Sequence, residues 1–545
     1  MANSISSRSA LAGLRTNGIP QRIGNNALWS YGVYLLVASA FLFCTYIAFR
    51  YIHQPLADVH AFRQTQTALT AYWMIKEGWT FAYQTPVAGF PWAIPFEFPI
   101  YQTLAAAIVG ILGFELETAG RFVSYLFLIA SAWPAFAISK RLKLPVTAPL
   151  VFCVLLWTSP LMVYWGRTFM IETAALFFSL ACIPYAIDLI RRVSGWHSVI
   201  WFVVFATAAV LQKSTTGGPV LLFLLVTALF TPLRQTGLSF QTVRNGLYPI
   251  AVICVPLIIG LAWAHYADVV KAANPFGLQL TSKALGQWNF GTVQQKLSSE
   301  TWLRVVWERS FQWNTGGVLG VLLIILPWLG WEREYRQYAW LSLAAFTLFL
   351  LPILIFTNLH LVHEYYQVAC VPFLLGALAI AVGGWLREST GIMMFVPLVT
   401  LVIVLSNLAF FAKSYGIVVA RKLDELDPRS VQAYKVGHYL RDHTPPRTGL
   451  VVFGQGYSSE IAFQAQRKTM AVPPWFKEYR QLWDQPQKYL GSMPLSAIVI
   501  CPPTDSFPTL SDLHDRMTNE RGWNNVTVNG CEVLLKQSEM VSNSN

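Results

Sequence analysis

The chain has 545 residues, of which 54% are hydrophobic, 14% aromatic and only 12% charged, with a formal net charge of +12. That balance excludes a set of soluble domains, because apolar runs of about 20 residues, each long enough to cross a bilayer, recur through most of the chain. The positive charge does not point to nucleic acid: Lys and Arg sit in short loops, where they orient membrane helices, and no basic run is interleaved with exposed aromatics. Of the seven cysteines, Cys44, Cys153, Cys182, Cys254 and Cys370 lie inside apolar runs, and none has metal-ligand spacing.

Residues 1–27 are rich in Ser, Asn and Gly and carry Arg8, Arg15 and Arg22, which reads as a disordered basic cytoplasmic tail without a cleavable leader. The first span, Leu28–Phe49, then runs from inside to outside, and 51–120 forms a first external loop. Pro99–Phe114 is short for a span, and if it crossed, Lys140, Arg141 and Lys143 would fall outside. It is expected to be a re-entrant or surface helix. The remaining apolar runs then alternate: Arg121–Ile138, Pro145–Tyr164, Thr173–Ile190, His197–Leu211, Gly218–Pro232 and Leu247–Tyr266. A large external loop (267–314) follows, and then Val318–Trp331, Trp340–Thr357, Gln367–Trp385 and Ile392–Phe411. The expected membrane unit (28–412) is a polytopic α-helical protein of about eleven spans, or about thirteen if further short apolar segments also cross. From 413 to 545 the composition is that of a small α/β domain, placed outside. GLVVFG and SAIVICP read as buried strands, SSEIAFQAQ and LSDLHDRM as helices, and NVTVNGCEVLLK as a hairpin turning at Asn529-Gly530. Cys501 and Cys531 either pair there or remain two buried thiols.

This topology gathers ionisable groups at one membrane face, where charge is costly and usually kept for function. The first loop brings Asp58, His60, Arg63 and Glu97; GRTFMIE brings Arg167 and Glu172; QKSTTGG brings Lys213; and HLVHEYYQ brings His363, Tyr365 and Tyr366. Acidic groups beside Arg, Lys and His suit a phosphate-bearing lipid that must be held and an acceptor hydroxyl that must lose a proton. Each residue also has a plain structural use. Asp58 can cap the following helix. Arg63 can pair with Glu77 or a headgroup, and Glu97 and Glu172 can form interfacial ion pairs with Arg167 or Lys213. Lys213 can snorkel, and Tyr365 and Tyr366 can belong to an aromatic belt. His53, His197 and His360 read as structural.

An acidic residue just after the first span, Glu97-Phe98-Pro99 closing the first loop, the Arg167-to-Glu172 motif, Lys213 before a Gly-rich turn and HEYYQVACVPFLL entering a late span occur in that order. Together they resemble the GT-C membrane glycosyltransferases, in particular the family 39 group of protein mannosyltransferases and lipid A aminoarabinose transferases. The resemblance covers about Leu28–Phe411 and implies the GT-C fold. It also implies transfer of one sugar, with inversion, from a polyprenyl-phosphate donor to a glycan, lipid or protein acceptor at the periplasmic face of an inner membrane. Carried over, Asp58 is the general base, and Arg63, Arg167, Lys213, His363, Tyr365 and Tyr366 hold the donor phosphate. His60, Glu97 and Glu172 complete the site. The family often has Asp-Glu or Asp-x-Asp where this chain has Asp58-Val59-His60, and a Lys where this chain has Phe98. A divalent metal ion, if one is used, falls to Asp58, His60 and Glu172. Two further readings are an oligosaccharyl transferase or polymerase using a pyrophosphate-linked glycan, and a transporter of a lipid-linked sugar. The transporter should carry paired repeats with broken helices, and no internal repeat is visible.

Overall fold

Pro20–Arg50 form one 31-residue helix, α1. The computed structural model describes residues 20–193, 195–236, 240–329, 335–387, 395–476, 478–503, 507, 510 and 522–536. Residues 20–27, expected in the loose tail, are helical and continue α1. Most of the expected LSDLHDRM helix and part of Ile392–Phe411 lie outside the described residues.

After α1 the chain forms α2 (Ala61–Glu77), α3 (Ile100–Leu112), α4 (Leu116–Ala130), α5 (Ala132–Leu142), α6 (Thr147–Thr158), α7 (Pro160–Trp165), α8 (Glu172–Arg191), α9 (Trp196–Gln212), α10 (Ser214–Thr236) and α11 (Phe240–Ala272). Among the described residues, eight helical stretches are long and apolar enough to cross a bilayer, and Ile100–Leu112, Thr147–Thr158, Trp196–Gln212 and Val318–Leu329 are shorter apolar helices. With 13 residues α3 is about 20 Å long, short of the ~30 Å hydrocarbon core. It stops where Gly113, at φ 69°, donates its N–H to the Val109 carbonyl.

The expected single span Pro145–Tyr164 is broken between α6 and α7. Pro160 has no N–H to continue α6, and the Ser159 hydroxyl instead accepts from Met162 N at 3.2 Å to start α7. Asn314 pins the break, its Oδ1 accepting from Ser159 Oγ at 2.5 Å and its Nδ2 donating to the Arg309 carbonyl at 2.8 Å. In this way the 267–314 loop holds the turn from which Arg167 and Glu172 emerge.

The C-terminal unit has a five-stranded sheet, β1 (Gly449–Phe453), β2 (Lys468–Ala471), β3 (Leu495–Ile500), β4 (Trp523–Val528) and β5 (Cys531–Lys536), in the order β2-β1-β3-β5-β4. β1 runs parallel to β2 and β3, while β5 is antiparallel to β3 and β4. Asn529 (φ 47°) and Gly530 (φ 83°) make the expected hairpin turn, whose two residues both need positive φ. Cys501 and Cys531 form a disulfide, closing the alternative of free thiols.

Although its composition reads as a separate module, this domain is welded to the first loop. Pro86 and Val87 accept from Thr469 N and Ala471 N at 3.1 and 2.9 Å, so the loop covers the open edge of β2. Side chains alternate across the sheet. Val451 and Phe453 share a hydrophobic core with Leu69, Trp73, Ile94 and Tyr101 of the first loop and α3, whereas Leu450 and Val452 pack under the helix Pro428–His443. Lys468 pairs with Glu77 at 2.7 Å over the Trp73 ring. The first loop is therefore a layer between the membrane helices and the sheet.

Candidate active site

Asp58 lies in the turn ahead of α2 but does not cap that helix. The N-cap position is His60, in the left-handed conformation (φ 54°), and its side chain makes no capping bond. The buried Asp58 carboxylate instead accepts from Gln64 Nε2 on one oxygen and from Arg167 Nη2 at 3.2 Å on the other. Gln64 is itself fixed, its Oε1 accepting from Phe169 N at 3.2 Å. A carboxylate has about four lone-pair positions, so both oxygens keep one for a further donor. Arg167 stacks over the Tyr164 ring at 5.1 Å, and its Nε and Nη1 are buried without a partner. Arg121, 1% exposed, donates through Nη2 to the Gln54 carbonyl at 3.1 Å, and its Nε and Nη1 are likewise unpartnered. Buried guanidinium donors left in this condition are costly unless a ligand or water meets them.

A second group stands across His60. Arg63 pairs with Glu97 at 3.1 Å and donates to Gln66 at 2.5 Å. Burial would lower the Arg63 pKa, but Glu97, with Tyr365 and Glu172 behind it, carries it above its ordinary value. Lys213, at the C-terminal end of α9, pairs with Glu172 at 2.5 Å, and its Nζ lies 3.8 Å from the Tyr366 ring centroid and 5.3 Å from that of Tyr365. The other Glu172 oxygen is buried and unpartnered. Gln212 holds this end of α9 to α3 by accepting from Tyr101 N at 3.0 Å.

His60 joins the two groups, its ring 5.0 Å from Tyr365, 5.2 Å from His363 and 5.7 Å from Trp165. Burial, reinforced by Arg309 and opposed by Asp58, lowers its pKa to about 4. Burial, followed by His60, Lys213, Arg63 and Arg309, takes His363 to about 3. At pH 7 both imidazoles are therefore neutral hydrogen-bonding groups rather than cations.

The structure thus brings together Asp58 with Arg167, Arg63 with Glu97, and Lys213 with Glu172, Tyr365 and Tyr366, with His60 and His363 between them. It does not assemble the metal set of Asp58, His60 and Glu172. Among the described residues no group of three His, Cys, Asp or Glu side chains is placed to hold an ion, and both carboxylates are engaged by cations. The donor set does not fit a divalent metal. Sequence reasoning missed Gln64, Arg121 and Arg309. Arg309 is buried and donates to the His360 and Leu361 carbonyls at 2.8 and 3.1 Å, tying the 267–314 loop to the His363 segment. The one available signal for it was an Arg within the long polar loop.

Above Asp58 and His60 opens a cavity of about 850 Å³ whose inner wall includes Phe62, Gln66 and Phe96. Its outer wall is supplied by the C-terminal domain, including Arg429, Tyr457, Ser458 and Glu460. Burial raises the Glu460 pKa, and one of its oxygens is buried without a partner.

The arrangement of helical spans, a first loop folded over them and a sheet domain is shared, as a fold, with solved structures. Among solved structures, ArnT from Cupriavidus metallidurans bound to undecaprenyl phosphate matches with a TM-score of 0.58 and 13% identity, over 92% of this chain and 97% of that one. The same protein in the apo state gives 0.54 and 14% over the same shares. The arabinofuranosyltransferase AftD from mycobacteria gives 0.51 and 11%, over 93% of this chain but 41% of its own. No family model and no curated protein matches the chain.

Proposed function

We propose that this chain is an inverting glycosyltransferase that moves a single sugar from a polyprenyl-phosphate donor to an acceptor hydroxyl. The observation that carries this reading is a buried, oriented carboxylate, Asp58, in the wall of a large cavity, backed by Arg167 donors that have no partner. The acceptor enters the cavity and its hydroxyl donates to Asp58. As the acceptor oxygen bonds to the anomeric carbon, the bond from that carbon to the phosphate oxygen breaks, and the hydroxyl proton passes to Asp58. The departing phosphate is a weakly basic leaving group that needs charge neutralisation more than protonation. Lys213, Arg63 and the unspent donors of Arg167 supply it, with Tyr365, Tyr366 and neutral His363 as further contacts. Glu97 and Glu172 orient Arg63 and Lys213.

In this reading the protein sits in an inner membrane, with the N-terminus cytoplasmic and the sheet domain periplasmic. The Cys501–Cys531 disulfide supports that side, since disulfides persist in oxidising compartments. ArnT bound to undecaprenyl phosphate supports a polyprenyl-phosphate lipid as the carrier. The test is incubation of the purified protein with a panel of radiolabelled polyprenyl-phosphate sugars. Release of free polyprenyl phosphate with transfer of label is expected. Binding of lipid-linked sugar without consumption of any donor would favour transport or a pyrophosphate donor instead.

A further inference from the structure

The helix α8 has 20 residues, so it is about 30 Å long, the thickness of a bilayer hydrocarbon core. Glu172 at its first turn belongs to the candidate active site. Arg191 at its last turn therefore lies at the opposite membrane face, where Lys140 and Arg141 also end α5. At that far end the helices leave a second cavity, of about 390 Å³, between α5, α6, α8, α10 and the helices Arg336–Ile355 and Val371–Ala379.

Its walls are mostly hydrocarbon, with Phe152, Leu180, Ile187, Phe223, Leu348 and Phe373 among them, and the Thr227 and Thr231 hydroxyls that also line it are spent on helix carbonyls. A cavity so lined does not hold ordered water, which needs several polar partners. Gly376 opens into free space, since a Cβ built there would meet nothing within 4 Å. Among the described residues that line the cavity, Arg191 is the charged one, and no carboxylate faces it. Arg141 is engaged by Asp188 at 2.9 Å and by the Tyr185 ring at 5.3 Å. Arg191 spends Nη1 on the Arg141 carbonyl at 2.6 Å and is otherwise exposed at the rim.

We propose that this cavity is a lipid site, taking one acyl chain of an anionic phospholipid whose phosphate sits on Arg191. The apolar walls select a chain, the rim guanidinium selects a negative headgroup, and the position at the Arg191 end of α8 matches the leaflet opposite Glu172. The site is separate from the donor site, and this proposal does not rest on the activity proposed above.

The test uses the full chain, purified in mild detergent, stripped of lipid and then offered equal amounts of phosphatidylglycerol and phosphatidylcholine. Retained lipid is read by native mass spectrometry. The wild type is expected to retain phosphatidylglycerol about fivefold over phosphatidylcholine, the preference one interfacial cation confers. Arg191→Gln should equalise the two lipids. Gly376→Phe and Ala345→Leu, which fill the cavity from different walls, should each lose the retained lipid while still binding polyprenyl phosphate. Equal retention of both lipids by the wild type, or full retention by both cavity-filling variants, would overturn the proposal.

Discussion

Lys213→Met separates two roles that one buried cation can play. Lys213 is 7% exposed and Glu172 3%; the Glu172 oxygen not bonded to Lys213 has no partner, so removing the ammonium leaves a buried carboxylate with nothing to meet it. Breaking a buried pair from one side costs about 3–5 kcal/mol. Lys213→Met should therefore lower the thermal unfolding midpoint of the protein in lipid nanodiscs sharply. Neutralising the orphan in the double variant Lys213→Met/Glu172→Gln should recover most of that loss, because an apolar and an amide side chain replace the pair. Turnover should not follow stability. If Lys213 neutralises the leaving phosphate, both variants lose about 10²–10³-fold in kcat, the usual effect of removing one charge-stabilising donor. The assay is release of polyprenyl phosphate, measured beside the melting curve for all four corners of the cycle. Recovery of turnover in the double variant would reduce Lys213 to a partner for Glu172 and refute the donor-site assignment.

Two further outcomes follow from the geometry. His60 and His363 are half-buried and neutral, with pKa values lowered to about 4 and about 3 from an ordinary value near 6.5. The unfolded chain therefore binds more protons in that window, and stability present above about pH 6.5 should be lost as the pH falls toward 4. His363→Gln should flatten this slope in melting curves taken across pH 4–7, and an unchanged slope would contradict the neutral state of His363. At Gly120 an added Cβ would lie 2.2 Å from the Phe169 ring, which is fully buried and whose backbone N–H holds Gln64. Gly120→Ala should cost about 1–3 kcal/mol and lower turnover by disturbing the Gln64 clamp on Asp58. Gly110→Ala, open on all sides, should do neither.

Much of the candidate site was legible because ionisable groups at a membrane face are rare enough to stand out one by one. Asp58, Arg63, Glu97, Arg167, Glu172 and Lys213 each stand out in that way, and Glu172 pairs with Lys213, one of the two cations the sequence offers it. Partner choice elsewhere was not legible. Arg63 takes Glu97 and not Glu77, which is claimed by Lys468 from the sheet domain 391 positions away. Contacts of that range leave no local pattern. Gln64 and Arg121 lie inside helical stretches, where a polar residue reads as a solvent face or an anchor until the packing is known. The same holds for the boundary at residue 413. Composition changes there, but the pairing of Pro86 and Val87 with β2, and the core shared by Trp73 and Phe453, make the first loop and the sheet one unit. The alternation of apolar runs was the most readable feature. It failed locally at Ser159-Pro160, where proline chemistry ended a helix inside a continuous hydrophobic stretch.

The central claim is that Asp58 accepts the acceptor proton. Asp58→Asn keeps the size of the side chain and its place between Gln64 and Arg167 while removing its basicity. The direct measurement is single-turnover transfer from a radiolabelled polyprenyl-phosphate sugar, with donor binding measured on the same preparation. Donor affinity within about threefold of wild type together with a loss of transfer of at least about 10²-fold is the predicted result. Near-normal transfer by the variant would contradict the account.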